Sequence, residues 1–174
     1  MKRMVSATIF SICLLAVSPI VRAQSCSNLT NSDLRGTYTM MGSGWVDLSK
    51  VMAGIPGLPA MPPGFVPMSW VGVSIFDGQG VGTGWLSVNG GGIQTSATFV
   101  NKKYSLQPDC SIQVTFSLKI NELPGNPVIG PFARIMVPVF KPGSLELHMI
   151  WQGNALGAPT AAAVDSGVAY RISM

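Results

Sequence analysis

The residues best suited to acid–base chemistry in this sequence are a glutamate and the single histidine. Glu146 and His148 lie two positions apart in a stretch where apolar and polar residues alternate, so in a β-strand their side chains point to the same side. Such a pair can transfer protons in catalysis if it faces a closed cavity. It can equally lie on the solvated outer face of a sheet. Glu146, His148 and Arg134 are the candidate catalytic residues, and a catalytic role requires them to point into a pocket.

Other catalytic and metal-binding patterns do not fit the sequence. Residues 42–44 (Gly-Ser-Gly) lack the spacing and the strand–turn–helix setting of a hydrolase nucleophile elbow. The single histidine and the seven acidic residues are dispersed, which gives no zinc-ligand spacing. Residues 77–80 are too short for a calcium loop, and Gly78, Gly80 and Gly82 lack the βαβ unit of a dinucleotide site. We therefore expect neither a metal nor a cofactor.

The aromatic residues point to binding rather than catalysis. Trp45, Trp70, Trp85 and Trp151 are spread over four predicted strands, and Tyr38 begins the first strand. An eight-stranded barrel has an interior that is either filled by side chains or able to hold one small ligand. The same aromatic residues would also suit a filled core. These five are the candidate ligand-binding residues.

The elements that would position these residues are β-strands. Residues 112–120, 144–151 and 168–172 alternate apolar with polar side chains, which is typical of half-buried strands. Residues 71–76 and 132–140 are continuous apolar runs, for which we expect both faces to be covered.

Turn residues separate these strands. Asp77-Gly78 and residues 89–92 (Asn-Gly-Gly-Gly) suit tight hairpins, because glycine accepts a positive φ. Short connections throughout predict an all-β fold. We expect an antiparallel meander of eight or nine strands closed as a barrel, with a β-sandwich as the alternative.

One apolar segment departs from this pattern. Residues 47–69 contain five prolines and three methionines, and proline at that density is incompatible with a regular central strand. The simplest interpretation is a proline-rich loop packed across one end of the barrel. The alternatives are a flexible lid, an entrance for a hydrophobic ligand, or a patch that binds a partner.

The first residues have the pattern of an export signal. Lys2 and Arg3 precede an apolar run, and Val21 and Ala23 supply the small residues of a cleavage site. The run is shorter than the ~20 residues that a membrane-spanning helix needs. We expect residues 1–23 to be a signal peptide and residues 24–174 to form a single β-barrel domain, secreted or periplasmic.

Composition and charge exclude several classes of protein. Charged residues make up 10% of the chain and hydrophobic residues 47%, which excludes a charged disordered tail, a coiled coil and a collagen-like rod. Without the signal, eleven basic residues become eight against seven acidic ones, so the net charge of +4 falls to +1. We therefore expect no nucleic-acid surface.

Two cysteines remain after the signal. In an exported protein, Cys26 and Cys110 most simply form one disulfide. By the loop-entropy model, closing about 84 residues would contribute about 4 kcal/mol. A metal site would need further cysteine or histidine ligands, and a lipid anchor at Cys26 would need a leucine three positions earlier.

Three motifs together resemble those of a known family. They are residues 34–38 (Leu-Arg-Gly-Thr-Tyr) after Cys26, residues 76–80 (Phe-Asp-Gly-Gln-Gly) and residues 104–110 (Tyr-Ser-Leu-Gln-Pro-Asp-Cys). The set resembles a family of small exported bacterial β-barrel proteins of unassigned function, similar in shape to allene oxide cyclase and lipocalin-like barrels. The resemblance implies a β-barrel and covers most of residues 26–120.

The same motifs also have a structural interpretation. Gly36 allows a close approach of backbone, and Tyr38 begins the first strand. Phe76 fills the core ahead of a tight turn, while Pro108 and Asp109 shape a corner of the chain.

Three functions are compatible with these features. The first is a secreted or periplasmic barrel that binds a small hydrophobic ligand, which requires an enclosed cavity of a few hundred Å³. The second is a barrel cyclase or isomerase that acts by positioning its substrate. The third is a structural or envelope protein without catalytic activity.

Overall fold

Eight β-strands build the part of the chain that the structure, a computed structural model, describes: residues 28–53, 55, 60–141, 144–154 and 163–174. A 3₁₀ helix (Asn31–Leu34) precedes the first strand, and a one-turn helix, α1 (Leu48–Val51), follows it. The strands are β1 (Gly36–Asp47), β2 (Phe65–Phe76), β3 (Gly82–Gly90), β4 (Ile93–Leu106), β5 (Ile112–Ile120), β6 (Val128–Lys141), β7 (Ser144–Asn154) and β8 (Ala163–Ser173).

The strands form a closed antiparallel barrel. Each strand pairs with its neighbours in sequence, and β8 closes the barrel on β1. On β5, Ile112, Val114 and Phe116 point inward and are at most 2% exposed, while the polar residues between them point outward. Inward side chains of all eight strands form one core cluster, as the period of two requires. The prediction of an all-β meander barrel is confirmed.

Strand β2 begins earlier than its prolines predicted. Residues 65–69 belong to the strand, so the prediction that proline excludes a regular central strand is wrong there. Pro67 pairs with Trp45, and its carbonyl oxygen accepts a hydrogen bond from the Gly91 nitrogen at 3.0 Å. The Pro67 nitrogen points to the same side as that carbonyl, away from β1, so the ring removes no hydrogen bond from the β1–β2 ladder.

The outer face of the barrel carries apolar side chains. Val71 is 53% exposed, Ile75 42% and Val137 45%. The prediction that both faces of residues 71–76 and 132–140 are covered is therefore wrong. In a barrel, alternate residues of every strand point outward, and no described element packs over these three side chains.

A β-bulge in β4 changes which residues face the interior. The register between β4 and β5 shifts between Val100 and Lys103, and Asn101 has a φ of 53°. Asparagine tolerates this left-handed conformation better than most residues. The extra residue reverses the inward–outward alternation after Phe99, so that Lys102 points into the barrel and is 3% exposed.

One end of the barrel is filled by the three motifs, and we call it the plugged end. The Tyr38 hydroxyl donates a hydrogen bond to the Leu34 carbonyl at 2.9 Å and accepts one from Arg171 Nε at 3.0 Å. The Phe76 ring packs edge-on against Tyr38 and Tyr104, with centroid separations of 5.4 and 4.5 Å. These contacts join the N-terminal segment to β1, β2, β4 and β8.

The turn after β2 completes the plugged end. The Tyr104 hydroxyl accepts a hydrogen bond from the Gly78 nitrogen at 2.6 Å and lies 3.1 Å from Asp77 Oδ1, to which it donates. Gly78 has a φ of 85°, a conformation that favours glycine. The structural interpretation of the motifs therefore agrees with their positions in the barrel.

Several predictions fall on residues outside the described part of the chain. They concern the signal peptide at residues 1–23, Cys26, and the connector before β8. Cys110 lies in the described turn between β4 and β5, where its φ is 72°, and its pairing with Cys26 stays a prediction. Among the described residues, no helix has the length and apolar character needed to cross a membrane.

Candidate functional site

A cavity of about 100 Å³ lies inside the barrel at the end opposite the plug, here called the cavity end. Its walls are almost entirely apolar, because inward side chains of β3, β4, β5 and β6 meet there. They include Leu86, Val88, Ala97, Ile120 and Phe132. The predicted cavity of a few hundred Å³ is therefore not found here, since this one is about 100 Å³.

Helix α1 lies at the mouth of the cavity. Leu48 and Val51 of the helix, and Met52 after it, contribute to the wall. Asp47 begins the helix by accepting a hydrogen bond from the Ser49 nitrogen at 3.1 Å, which is a common N-cap. Residues 48–52 thus pack at one end of the barrel, while residues 54 and 56–59 of the proline-rich segment lie outside the described residues.

The Trp70 indole packs against two glycines, Gly42 and Gly167, next to the cavity. A Cβ at Gly42 would lie 2.2 Å from Trp70 Cζ2, and a Cβ at Gly167 would lie 2.7 Å from the same ring. Both glycines occupy inward positions, on β1 and β8. Only residues without a side chain leave room for the indole here, and Trp70 is 3% exposed.

A buried ion pair lies beside the indole. Arg134 Nη2 is 3.0 Å from Asp165 Oδ2, and both side chains are at most 2% exposed. The Arg134 guanidinium carbon lies 4.7 Å from the Trp70 ring centroid, within cation–π range. All three residues line the cavity. They form the polar part of an otherwise apolar site.

The electrostatics of this pair follow from its burial. Burial raises the pKa of Asp165, while the Arg134 charge and the Trp70 indole N–H oppose that rise. Burial lowers the pKa of Arg134, and the Asp165 carboxylate raises it. Breaking such a pair is strongly destabilising, because it leaves one buried charge without its counterion.

One buried polar atom of Trp70 and one of Asp165 have no hydrogen-bond partner among the described residues. They are Nε1 of Trp70, a donor, and Oδ1 of Asp165, an acceptor. Buried polar groups are nearly always hydrogen-bonded, because an unmade bond leaves the desolvation penalty uncompensated. These two atoms are the candidate polar contacts of the site.

A second cation lies deeper in the barrel, outside the cavity lining. Lys102 Nζ donates a hydrogen bond to Ser74 Oγ and lies 4.2 Å from the Phe99 and 4.7 Å from the Phe76 ring centroid. Burial, aided by the charge of Arg134, lowers the pKa of Lys102 to about 7. Among the described residues, the barrel interior thus holds two basic side chains and one carboxylate.

The structure distributes the five predicted ligand-binding residues over different regions. Trp70 lines the cavity, whereas Tyr38 belongs to the plugged end and is fully buried. Trp45 and Trp85 point outward and are 54% and 47% exposed. Trp151 is part of β7, but its side chain lies outside what the structure describes.

The three candidate catalytic residues do not come together. Arg134 lines the cavity. Glu146 and His148 share the outer face of β7, where Glu146 Oε1 is 2.5 Å from Lys141 Nζ and Glu146 Oε2 is 3.4 Å from His148 Nε2. The His148 side chain is 54% exposed. This position agrees with the simpler interpretation of the pair.

Sequence reasoning missed Asp165 and Lys102. Asp165 lies on the inward face of β8, where every second residue around it is small: Ala163, Gly167 and Ala169. That row of small residues signals space inside the barrel, which a long side chain of another strand can fill. Lys102 gave no such signal, because only the bulge turns it inward.

Comparison with known proteins adds no assignment. Among the described residues, no group of three or more His, Cys, Asp or Glu side chains could hold a metal ion. Comparisons with protein-family models, curated proteins and solved structures found no match.

Proposed function

We propose that this protein binds a small hydrophobic molecule in the cavity at the cavity end of the barrel. The observation that carries the proposal is an apolar cavity of about 100 Å³ in contact with Trp70. Apolar cavities of roughly 150 Å³ admit benzene or xenon. The ligand, or the part of it that enters the barrel, is therefore about the size of one ring or a short alkyl chain.

The position of α1 supports an entrance at this end. Leu48, Val51 and Met52 line the mouth, and no residue of this one-turn helix is fully buried. Methionine adapts readily to ligands of different shape. The opposite end is blocked by Tyr38 and Phe76, which are at most 2% exposed.

Tryptophan fluorescence tests this proposal with toluene as the probe. A variant with Trp45→Phe, Trp85→Phe and Trp151→Phe retains Trp70 as its single tryptophan. Toluene should change its emission in a saturable way, because a molecule in the cavity changes the packing and polarisability next to the indole. A matched variant that retains only Trp85 should not respond, since that side chain points outward.

A cavity-filling variant provides the second test. Val88 is half-buried in the cavity wall, so Val88→Phe should abolish the toluene response while the circular dichroism spectrum stays unchanged. If the Trp70-only protein shows no saturable response, or if Val88→Phe responds like the parent, the binding proposal is wrong. A structural role would then be the better explanation of the barrel.

We also propose that the protein is exported, cleaved after Ala23, and closed by a disulfide between Cys26 and Cys110. The n-region, the apolar run and the small residues before Gln24 support export. Intact-mass measurement on protein from the periplasm or the medium tests the cleavage. Thiol titration in denaturant should find no reactive cysteine, and two reactive thiols would contradict the disulfide.

A further inference from the structure

The polar atoms at the cavity indicate the chemistry of the ligand. Trp70 Nε1 can only donate a hydrogen bond, and Asp165 Oδ1 can only accept one while the carboxyl is ionised. Both atoms are buried without a partner among the described residues, and both residues line the cavity. The ligand group that satisfies both must accept one hydrogen bond and donate another.

The two atoms belong to one neighbourhood. The Trp70 indole N–H is close enough to the Asp165 carboxyl to influence its ionisation, although the two make no hydrogen bond of normal geometry. Arg134 contacts both residues, with 3.0 Å to the Asp165 carboxylate and 4.7 Å to the Trp70 ring centroid. Trp70, Arg134 and Asp165 therefore form one polar cluster in the cavity wall.

The charges at the site select against ionised ligands. A carboxylate could accept from Trp70, but its second oxygen would face Asp165 Oδ1, and two acceptors repel each other. An ammonium group has no lone pair with which to accept a hydrogen bond from Trp70 Nε1, and the Arg134 guanidinium lies beside that indole. A neutral group avoids both conflicts, because Arg134 and Asp165 already balance each other's charge.

On the premise that the cavity binds a ligand as proposed above, we propose that this ligand is a neutral amphiphile with a hydroxyl group at its buried end. The hydroxyl oxygen accepts a hydrogen bond from Trp70 Nε1, and the hydroxyl proton is donated to Asp165 Oδ1. The apolar body lies against Leu86, Ala97 and Phe132. This assigns Trp70 and Asp165 as the residues that determine ligand specificity.

Three probes of one ring size test the inference: toluene, benzyl alcohol and benzoate. Dissociation constants are measured by NMR titration for the wild-type protein, for Trp70→Phe, and for Trp85→Phe as the matched control on the outer face. Benzyl alcohol is better hydrated than toluene, so their affinities for one protein cannot be compared directly. We therefore compare the ratio of the benzyl alcohol affinity to the toluene affinity between the wild-type protein and each variant.

The expected result is a loss of selectivity in one variant only. Trp70→Phe should lower the affinity ratio of benzyl alcohol to toluene about fivefold to tenfold, since it removes one buried hydrogen bond. Trp85→Phe should leave the ratio unchanged. Benzoate should bind more weakly than either neutral probe to the wild-type protein.

The indole N–H resonance of Trp70 in the wild-type protein gives a readout that does not depend on the folding of a variant. Benzyl alcohol should move it downfield, as a new acceptor does, and toluene should not. If toluene binds, but Trp70→Phe leaves the affinity ratio unchanged and benzyl alcohol does not shift the indole N–H resonance, the inference is overturned while the proposed function stands. If benzoate binds most tightly, the ligand class is an acid and the inference is wrong. If no probe binds, both proposals fail.

Discussion

Replacing the buried lysine should make the protein more stable and less sensitive to pH. Lys102 is 3% exposed, its amine contacts Ser74 Oγ and two phenylalanine rings, and its pKa is lowered to about 7 by burial. Lys102→Met keeps a long apolar side chain of similar volume and removes the charge. We expect this variant to fold into the same barrel.

The magnitude follows from the lowered pKa. In the unfolded chain the amine has its ordinary pKa of 10.5, and in the folded protein about 7. Below about pH 7 the amine is charged in both states, and burial of that charge destabilises the fold by about 5 kcal/mol, at 1.36 kcal/mol per pKa unit. Above pH 7 the folded protein loses the proton while the unfolded chain keeps it, so stability rises with pH.

Urea denaturation at several pH values measures this effect. Between pH 6 and pH 9 the contribution of Lys102 to the free energy of unfolding should rise by about 3 kcal/mol. The difference between Lys102→Met and the wild-type protein should shrink by that amount over this range. Lys103→Met, at an exposed position next to it, is the matched control. A Lys102→Met curve parallel to that of the wild-type protein would refute the reasoning.

Further predictions concern other parts of the barrel. Gly42→Ala would place a Cβ 2.2 Å from the Trp70 ring, so thermal denaturation should show a loss of about 2 kcal/mol, and a neutral result would contradict the packing. Tyr104→Phe removes hydrogen bonds to Gly78 and Asp77 and should cost about 1 kcal/mol by urea denaturation; an unchanged midpoint would argue against these bonds. The Ser96 and Thr95 hydroxyls lower the pKa of Glu122 to about 2, below the ordinary 4.5, so this carboxylate supports the fold above pH 4.5 and the support disappears as the pH falls towards 2. Glu122→Gln should therefore flatten acid unfolding in that window, and an unaltered acid transition would be inconsistent with this. Glu146 and His148 lie on the outer face, so Glu146→Ala and His148→Ala should leave toluene affinity unchanged. A marked loss of affinity would show that the pair contributes to binding.

Much of the fold could be predicted from the sequence because strand periodicity is a local signal. β5 was predicted with its observed bounds, since five apolar side chains alternate with four polar ones. The Asp77-Gly78 turn was predicted for an equally local reason, the positive φ of glycine. The short connections predicted a meander but left a barrel and a sandwich open, and the pairing of β8 with β1 shows the barrel.

The number of positions between two residues of one strand predicts whether they face the same side of the barrel. Tyr38 and Trp45 lie seven positions apart on β1, so without a bulge they point to opposite faces. The structure places Tyr38 inside and Trp45 outside. The prediction that both line one cavity conflicted with the same period of two that identified the strand.

Other parts could not be predicted from local pattern. The pairing of Arg134 with Asp165 joins residues on β6 and β8, and its geometry depends on the size of the neighbouring side chains. The burial of Lys102 depends on a bulge at Asn101. A single sequence gives the alternation but not the position where it reverses.

A crystal of the protein pressurised with xenon tests the central claim most directly. Xenon binds in apolar cavities of this size without needing a polar partner. We predict one interior xenon site at the cavity end, in contact with Trp70, Leu86 and Phe132. A barrel interior without xenon, or with those side chains packed against one another, would contradict the proposal that this protein binds a ligand inside its barrel.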